Sequence, residues 1–466
     1  MSPGVEVASP STAFGKNESS LGLLNETEGC LDGWDFSTER YTSTVVTEWN
    51  LVCDEAWKAP FAASVYFFGA LLGLLVSGHI SDRFGRKHVF FVCMALQTIC
   101  TVLQASSNSW AMYCIFYFFA GVGTISKYNA AFVLGSELLN KSTRVNFSTL
   151  GIGLFFALGC AFLPLFAFLI REWRMLLVAL GSVGFLFIPL WWFIPESPRW
   201  LLSQGRVAEA EAIIRAAAQK NRLSAPAVIF RMEDCIRLTD NKGEHEKLYT
   251  IFDLFKATNM RIITIIMLII WTVTLATFYG LSLSIPKMDG DPYLSCFMSG
   301  INEMVGYIIA WLATRYCSRR FALFGMMLSC GVLLLVVQFI PQEHSTLILA
   351  LMMMGKMAVS AAFCFLYPYC LELFPTVVRQ MGLGLATFSG NLGSLITPYI
   401  LIIGAYNEHL PNILMGGLSV FAGLLSLLLP ETRDTKLPEH MGEVRPLSCF
   451  CVKESSAQSQ WENAGL

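Results

Sequence analysis

Three charged side chains lie inside apolar runs of this sequence: Lys127 in GVGTISKYNAAFVLG, Glu303 in GINEMVGY and Lys356 in MMMGKMAV. A full charge at mid-membrane costs about 2.5–3.5 kcal/mol on insertion scales, so such groups line a cavity or pair with one another. One carboxylate and two ammonium groups in a shared cavity suit a zwitterion, or an ion with a separate polar head. The alternative is that Glu303 and Lys356 neutralise each other as a structural pair. Tyr128 stands beside Lys127, Tyr307 and Tyr367 lie on the runs of Glu303 and Lys356, and Phe278 and Tyr279 lie on a further apolar run. Their rings are candidates for holding a quaternary ammonium by cation–π contact, although aromatic rings also serve as packing. This is recognition chemistry. The polar groups in the runs lack a paired nucleophile and base, so no enzyme is expected, and no CxxC or HExxH spacing supports a metal. Gly135 to Ser142 imitates a phosphate-binding loop but has Asn140 where the second glycine is required.

A second set of charges marks the ends of the runs. In SGHISDRFGRKHVF, Asp82, Arg83, Arg86, Lys87 and His88 interrupt an apolar run and must lie outside hydrocarbon. Short basic loops stay cytoplasmic, so this turn orients its neighbours. Asp82 is expected to pair with an Arg at the end of a neighbouring span, in a gate contact that forms in one conformation and breaks in the other. Glu137 with Arg144, and Glu372 with Arg379, are expected to form inter-helix ion pairs with Arg83, Arg86 and their counterparts Arg319 and Arg320. Upstream, Gly69, Gly73 and Ser77 follow the four-residue spacing of small residues that lets two membrane helices approach closely.

Positioning these groups requires membrane helices. Of 466 residues 55% are hydrophobic and 14% charged, against about 25% charged in a soluble protein. The net charge of −2 gives a nucleic-acid partner no electrostatic support. Apolar runs of crossing length fall at about 60–80, 88–107, 110–133, 147–170, 174–195, 262–285, 291–313, 320–340, 346–369, 380–404 and 409–430. Alternate short loops carry nine basic residues on one side and three on the other. That bias places the N-terminus outside and the C-terminus inside. Residues 1–59 then form an extracellular segment with glycosylation sequons at Asn17 and Asn25, where Cys30 and Cys53 are free to pair in an oxidising environment.

The chain also repeats itself about a central loop, residues 196–261. Glu137 and Arg144 recur as Glu372 and Arg379, and Pro195-Glu196 as Pro430-Glu431, all shifted by 235 residues. Arg86-Lys87 recurs as Arg319-Arg320. The expected architecture is all-α: an N-terminal bundle of five spans over 60–195, a cytoplasmic loop with a surface helix at EAEAIIRAAAQK, a C-terminal bundle of six spans over 262–430 and a cytoplasmic tail over 431–466. Similar halves with the solute site between them are how many secondary transporters are built. The second half has two spans before its basic turn and the first half has one.

The motifs DRFGRK, PESPRWLLSQGR and PET resemble the major facilitator superfamily. CLDGWDFSTERYTSTVVTEWNLVCDEAWKAP, SELLNKSTRVNFSTLG, EWRMLLVALGS, WWFIPESPRW and LELFPTVVRQMGLG narrow the resemblance to its organic cation, anion and zwitterion transporters, most closely the carnitine and ergothioneine subgroup, over about residues 30–432. The resemblance implies twelve spans in two pseudo-symmetric bundles and a large glycosylated loop after the first span, within which this chain looks as if it starts. It implies transport of small organic cations or zwitterions, carnitine-like, across the plasma membrane by alternating access, with no cofactor. An organic-anion exchanger of the same fold, and a transport-dead regulatory protein, are the competing readings. In the carnitine subgroup an Arg thought to meet the substrate carboxylate stands where this chain has Asn391. The segment GQISNY, associated with sodium coupling, reads GTISKY here, with Thr124 and Lys127 replacing neutral amides. An ammonium where a sodium ion would bind should repel the ion, so sodium-independent transport is expected, with Lys127 as a candidate for the anion-binding duty lost at Asn391.

Overall fold

The computed structural model describes residues 34–139, 143, 146–222, 251–288, 290–375, 378–404, 407 and 409–433. Asn17, Asn25, Cys30 and Arg144 lie outside the described residues. Among those described, the chain is helical apart from short turns, with one isolated backbone bridge between Ser43 and Glu172.

After a one-turn helix α1 (Val45–Glu48) the first half comprises α2 (Lys58–Phe84), α3 (Arg86–Ala105), α4 (Trp110–Leu138), α5 (Ile152–Leu169) and α6 (Trp173–Leu186), followed by the short α7 (Leu190–Phe193). The central segment forms α8 (Pro198–Ser203) and α9 (Val207–Lys220). The second half comprises α10 (Thr258–Ser284), α11 (Pro292–Tyr316), α12 (Arg319–Val336), α13 (Ser345–Leu373), α14 (Arg379–Ile403) and α15 (Leu410–Ser426). Among the described residues, eight helices are long and apolar enough to cross a membrane. The runs at 110–133, 147–170 and 409–430 correspond to α4, which is long but carries Lys127 and Asn129, and to the shorter α5 and α15. The stretch EAEAIIRAAAQK is helical within α9.

Local sequence explains where helices stop and touch. Gly85 separates α2 from α3 with φ near +99°, and a Cβ there would lie 2.5 Å from Glu196 Oε2, so only glycine fits the turn. The small-residue row of α2 packs on α4: Cβ atoms at Gly69 and Gly73 would meet the carbonyl oxygens of Phe118 and Val122 at 2.2 and 2.6 Å. Asp291 caps α11 by accepting from the Tyr293 N–H at 2.9 Å, with Pro292 in the first turn.

Packing follows the repeat. Helix α2 lies on α4 as α11 lies on α13, and α3 on α4 as α12 on α13, while α5 against α11 and α2 against α14 join the halves. Helix α10 packs on α13, α14 and α15, and its most apolar window is 67% buried. It has no counterpart among the described residues of the first half, where the window around α6 is 6% buried.

Candidate functional site

The buried charges of the second half form one pair. Gly306 lets α11 approach α13 closely, since a Cβ there would be 2.7 Å from the Met357 carbonyl oxygen. Asn302 fixes the register by donating to the Met353 carbonyl at 2.7 Å. One face of that contact holds Glu303 and Lys356, with Lys356 Nζ 2.7 Å from Glu303 Oε1 and side chains 5% and 1% exposed. The ammonium also donates to Ser299 Oγ at 2.5 Å and lies 5.7 Å from the centre of the Phe278 ring. Glu303 Oε2 is buried, with the Cys160 thiol of α5 beside the carboxylate. Removing one member of such a pair strands a buried charge, at about 3–5 kcal/mol.

An aromatic wall flanks the pair and crosses between the halves. Phe278 stacks on Phe363 at 5.6 Å and meets Tyr279 at 5.2 Å. Tyr279 touches Phe67 of α2 at 4.9 Å, and Tyr66 beside it packs on Tyr117 of α4 at 4.8 Å. Tyr367 packs on Trp271 at 4.9 Å and on Phe132 of α4 at 6.0 Å, and its hydroxyl interacts with that of Tyr128. Tyr307 is buried against α5, close to Gly153. Thus Tyr128, Phe278, Tyr279, Glu303, Tyr307, Lys356 and Tyr367 gather at the junction of the halves. Sequence reasoning missed Tyr66, Phe67, Tyr117, Trp271 and Phe363. The four-residue spacings Tyr113/Tyr117 and Phe363/Tyr367 carried a usable signal, because such residues share a helix face.

Two expected members stand apart. Lys127 Nζ donates to Gln97 Oε1 at 2.5 Å, so the residue faces α3 and its ammonium pairs with a neutral amide. The physical reason is helical phase: Tyr128, one step further on, takes the direction toward Tyr367. Asn391 is buried and donates to the Thr387 carbonyl of its own helix at 2.9 Å. The Thr124 hydroxyl likewise donates to the Ala120 carbonyl at 2.8 Å.

The charged ends of the halves hold a second constellation, present twice. In the first copy, Arg86 lies 3.4 Å from Glu137 and 2.8 Å from Asp82. Glu196 accepts from the backbone N–H groups of Arg86, Lys87 and Ser197 at 2.9–3.1 Å. Asp82, near the end of α2, therefore pairs with the arginine that opens α3, four residues on across the Gly85 turn. Arg83 lies over the Phe84 ring, and Lys87 Nζ lies 4.8 Å from the centre of the Trp191 ring. In the second copy, Arg319 binds Glu372 through two N–H groups at 2.9 and 3.0 Å. Glu431 accepts from the Ser318 hydroxyl and from the backbone N–H groups of Arg319 and Arg433 at 2.9 and 3.0 Å. Burial alone would raise the Glu431 carboxyl, but these donors hold it below the ordinary carboxylate range. The Arg320 guanidinium donates to the Leu427 carbonyl while its backbone N–H donates to Glu431 at 3.3 Å, and Arg379 donates to the Phe374 carbonyl. Glu196 and Glu431 were legible only as part of the repeat.

Two helical halves joined by a buried ionic and aromatic junction define a membrane carrier of the major facilitator class. Residues 27–441 match the family described as "Sugar (and other) transporter", and the chain belongs to that family. It is 44% identical to "Solute carrier family 22 member 4" of Mus musculus, over 94% of this chain and 79% of that protein. It is 47% identical to "Organic cation/carnitine transporter 2" of Homo sapiens, over 91% of this chain and 75% of that protein. These relatives bear out the resemblance to the organic cation and carnitine carriers. Among solved structures, the proton:xylose symporter XylE shares the fold at a TM-score of 0.63 and 18% identity, over 84% of this chain and 90% of that one.

Proposed function

We propose that the protein is a secondary transporter that carries small organic cations or zwitterions, carnitine-like, across the plasma membrane by alternating access of its two halves. The observation that carries this reading is the Lys356–Glu303 pair enclosed by aromatic rings at the junction of the halves. A site with one ammonium, one carboxylate and ring faces offers complementary contacts to both ends of a quaternary ammonium zwitterion. Its electrical neutrality favours such a solute over a dicarboxylate. The basic bias of alternate short loops supports an N-terminal segment outside, a C-terminus inside and eleven crossings among residues 60–430. Sodium coupling is not expected, because a sodium ion would meet the Lys127 ammonium at the family's sodium-linked segment.

Uptake into proteoliposomes tests this. A labelled quaternary ammonium zwitterion should enter faster than into empty vesicles, and unlabelled cations and zwitterions should compete where dicarboxylates do not. Replacing sodium by N-methylglucamine should leave the rate unchanged; a several-fold fall would overturn the sodium-independent reading. Transport that only dicarboxylates support would overturn the substrate class.

A further inference from the structure

On the face opposite the basic turns, the segment before α1 lies across both halves. It is fastened to the first half at several points. The Thr42 N–H donates to the Arg171 carbonyl at 3.1 Å, Ser43 forms the backbone bridge with Glu172, and Arg171 donates to the Glu39 carbonyl at 3.5 Å. Further along, the Glu48 carboxylate takes the Arg174 guanidinium and the Trp173 indole N–H. Arg174 also donates to the carbonyls of Ala105 and Ser107 at 2.5 and 2.7 Å, which ties this anchor to the end of α3. Hydrogen bonds from Arg174, working against burial, keep the Glu48 carboxyl below its ordinary range.

The same segment reaches the second half at Tyr293. The Tyr293 hydroxyl, in the first turn of α11, donates to the Arg40 carbonyl at 2.9 Å. Its ring lies 5.6 Å from that of Tyr41 and edge-on to Phe168 of α5 at 5.5 Å. Asp291 fixes the backbone beneath it. A cavity of about 380 Å³ lined by Glu39, Arg40, Phe168, Arg171, Asp291 and Tyr293 opens at this junction.

We propose that residues 39–43 are a strap that closes this face, with Tyr293 as its clasp. Because the strap runs on into α1, which Glu48 anchors to Trp173 and Arg174 of the first half, whereas it meets the second half at Tyr293, separation of the halves here parts it at Tyr293 and carries it away with α5 and α6. The inference rests on the alternating-access reading, but its test does not depend on transport. Cys296 provides the readout: it lies one turn beyond Tyr293 on α11, half-buried and close to Tyr41.

The full-length protein in sealed vesicles is treated with a membrane-impermeant maleimide, and the Cys296 adduct is quantified by peptide mass spectrometry, with Cys296→Ser as the blank. Tyr293→Phe keeps the ring and removes the donor, so Cys296 should label roughly three- to ten-fold faster, the factor that one net hydrogen bond supports. Tyr293→Ala should label faster still. A disulfide between Arg40→Cys and Tyr293→Cys should slow Cys296 labelling below wild type and stop uptake, both restored by reductant. Unchanged labelling in a folded Tyr293→Phe protein, or full uptake by the cross-linked form, overturns the strap. Labelling that shifts as expected in a protein moving no solute leaves the strap standing and overturns the transport reading.

Discussion

The charged ends of the two halves carry the same three residues in the same roles, yet bind with different strength. In the first half Arg86 reaches Glu137 at 3.4 Å while sharing its guanidinium with the exposed Asp82. In the second half Arg319 grips Glu372 through two parallel bonds, and Thr432 adds a hydroxyl donor to the same carboxylate at 2.6 Å. The interiors differ more. At the shift of 235 residues Gly121 stands in the place of Lys356, packed against the Tyr66 carbonyl where its counterpart carries a charge. Duplicated sequence has kept a symmetric frame at the ends and placed the ionic group of the centre on one side only. The second half holds the charges and the most buried helix, and the first half contributes rings and the strap.

The largest test of that asymmetry is to remove one member of the central pair. Lys356→Met or Glu303→Leu should each lower stability by about 3–5 kcal/mol, and the double substitution should recover most of the loss, because no buried charge is left alone. Thermal unfolding in detergent reads this directly. Single and double substitutions of equal stability would mean that the pair is not mutually satisfied.

The ends give the next effect. Arg319→Ala should destabilise by about 1.5–3 kcal/mol, in line with a doubly bonded and half-buried charge pair. Arg86→Ala should fall nearer about 1 kcal/mol, because Arg86 meets a similarly buried Glu137 through one 3.4 Å contact in place of two hydrogen bonds. Equal losses in the two variants would erase the difference between the copies. Protonation probes the same place: the Glu431 carboxyl is depressed in the folded chain, so its stabilisation is present above the ordinary carboxylate range and is lost as pH falls through its lowered value. Glu431→Gln should flatten the acid limb of a melting-temperature profile, and an unaltered limb would assign that loss to other groups. The smallest effect belongs to Lys127, whose partner is the neutral Gln97. Lys127→Gln should change zwitterion uptake by less than about threefold, since it removes one hydrogen bond outside the central junction; a tenfold loss would return Lys127 to the solute site.

Much of this frame was legible in the sequence because its signals are local. Charges that break apolar runs, glycine in the DRFGRK turn and the 235-residue repeat follow from solvation, backbone sterics and counting. The Glu303–Lys356 contact was legible as one of two open readings, since a buried charge demands a counter-charge. What remained hidden depends on helical phase and on distant neighbours. Lys127 and Tyr128 are adjacent, but a rotation of about 100° per residue sends one toward α3 and the other toward the second half. The wall of Tyr66, Tyr117 and Phe363 assembles from helices far apart in sequence. Asp82 finds its partner at the start of the very next helix, because Arg86 stands only four residues on across the Gly85 turn.

In the proposed transport cycle the Glu303–Lys356 pair forms the ionic part of the solute site. Equilibrium binding of a labelled quaternary ammonium zwitterion to purified protein tests it most directly, comparing wild type with Glu303→Gln, which keeps the shape and removes the charge. Kd should rise at least about tenfold, the equivalent of one charge-assisted contact. Unchanged affinity in a folded Glu303→Gln protein would contradict it.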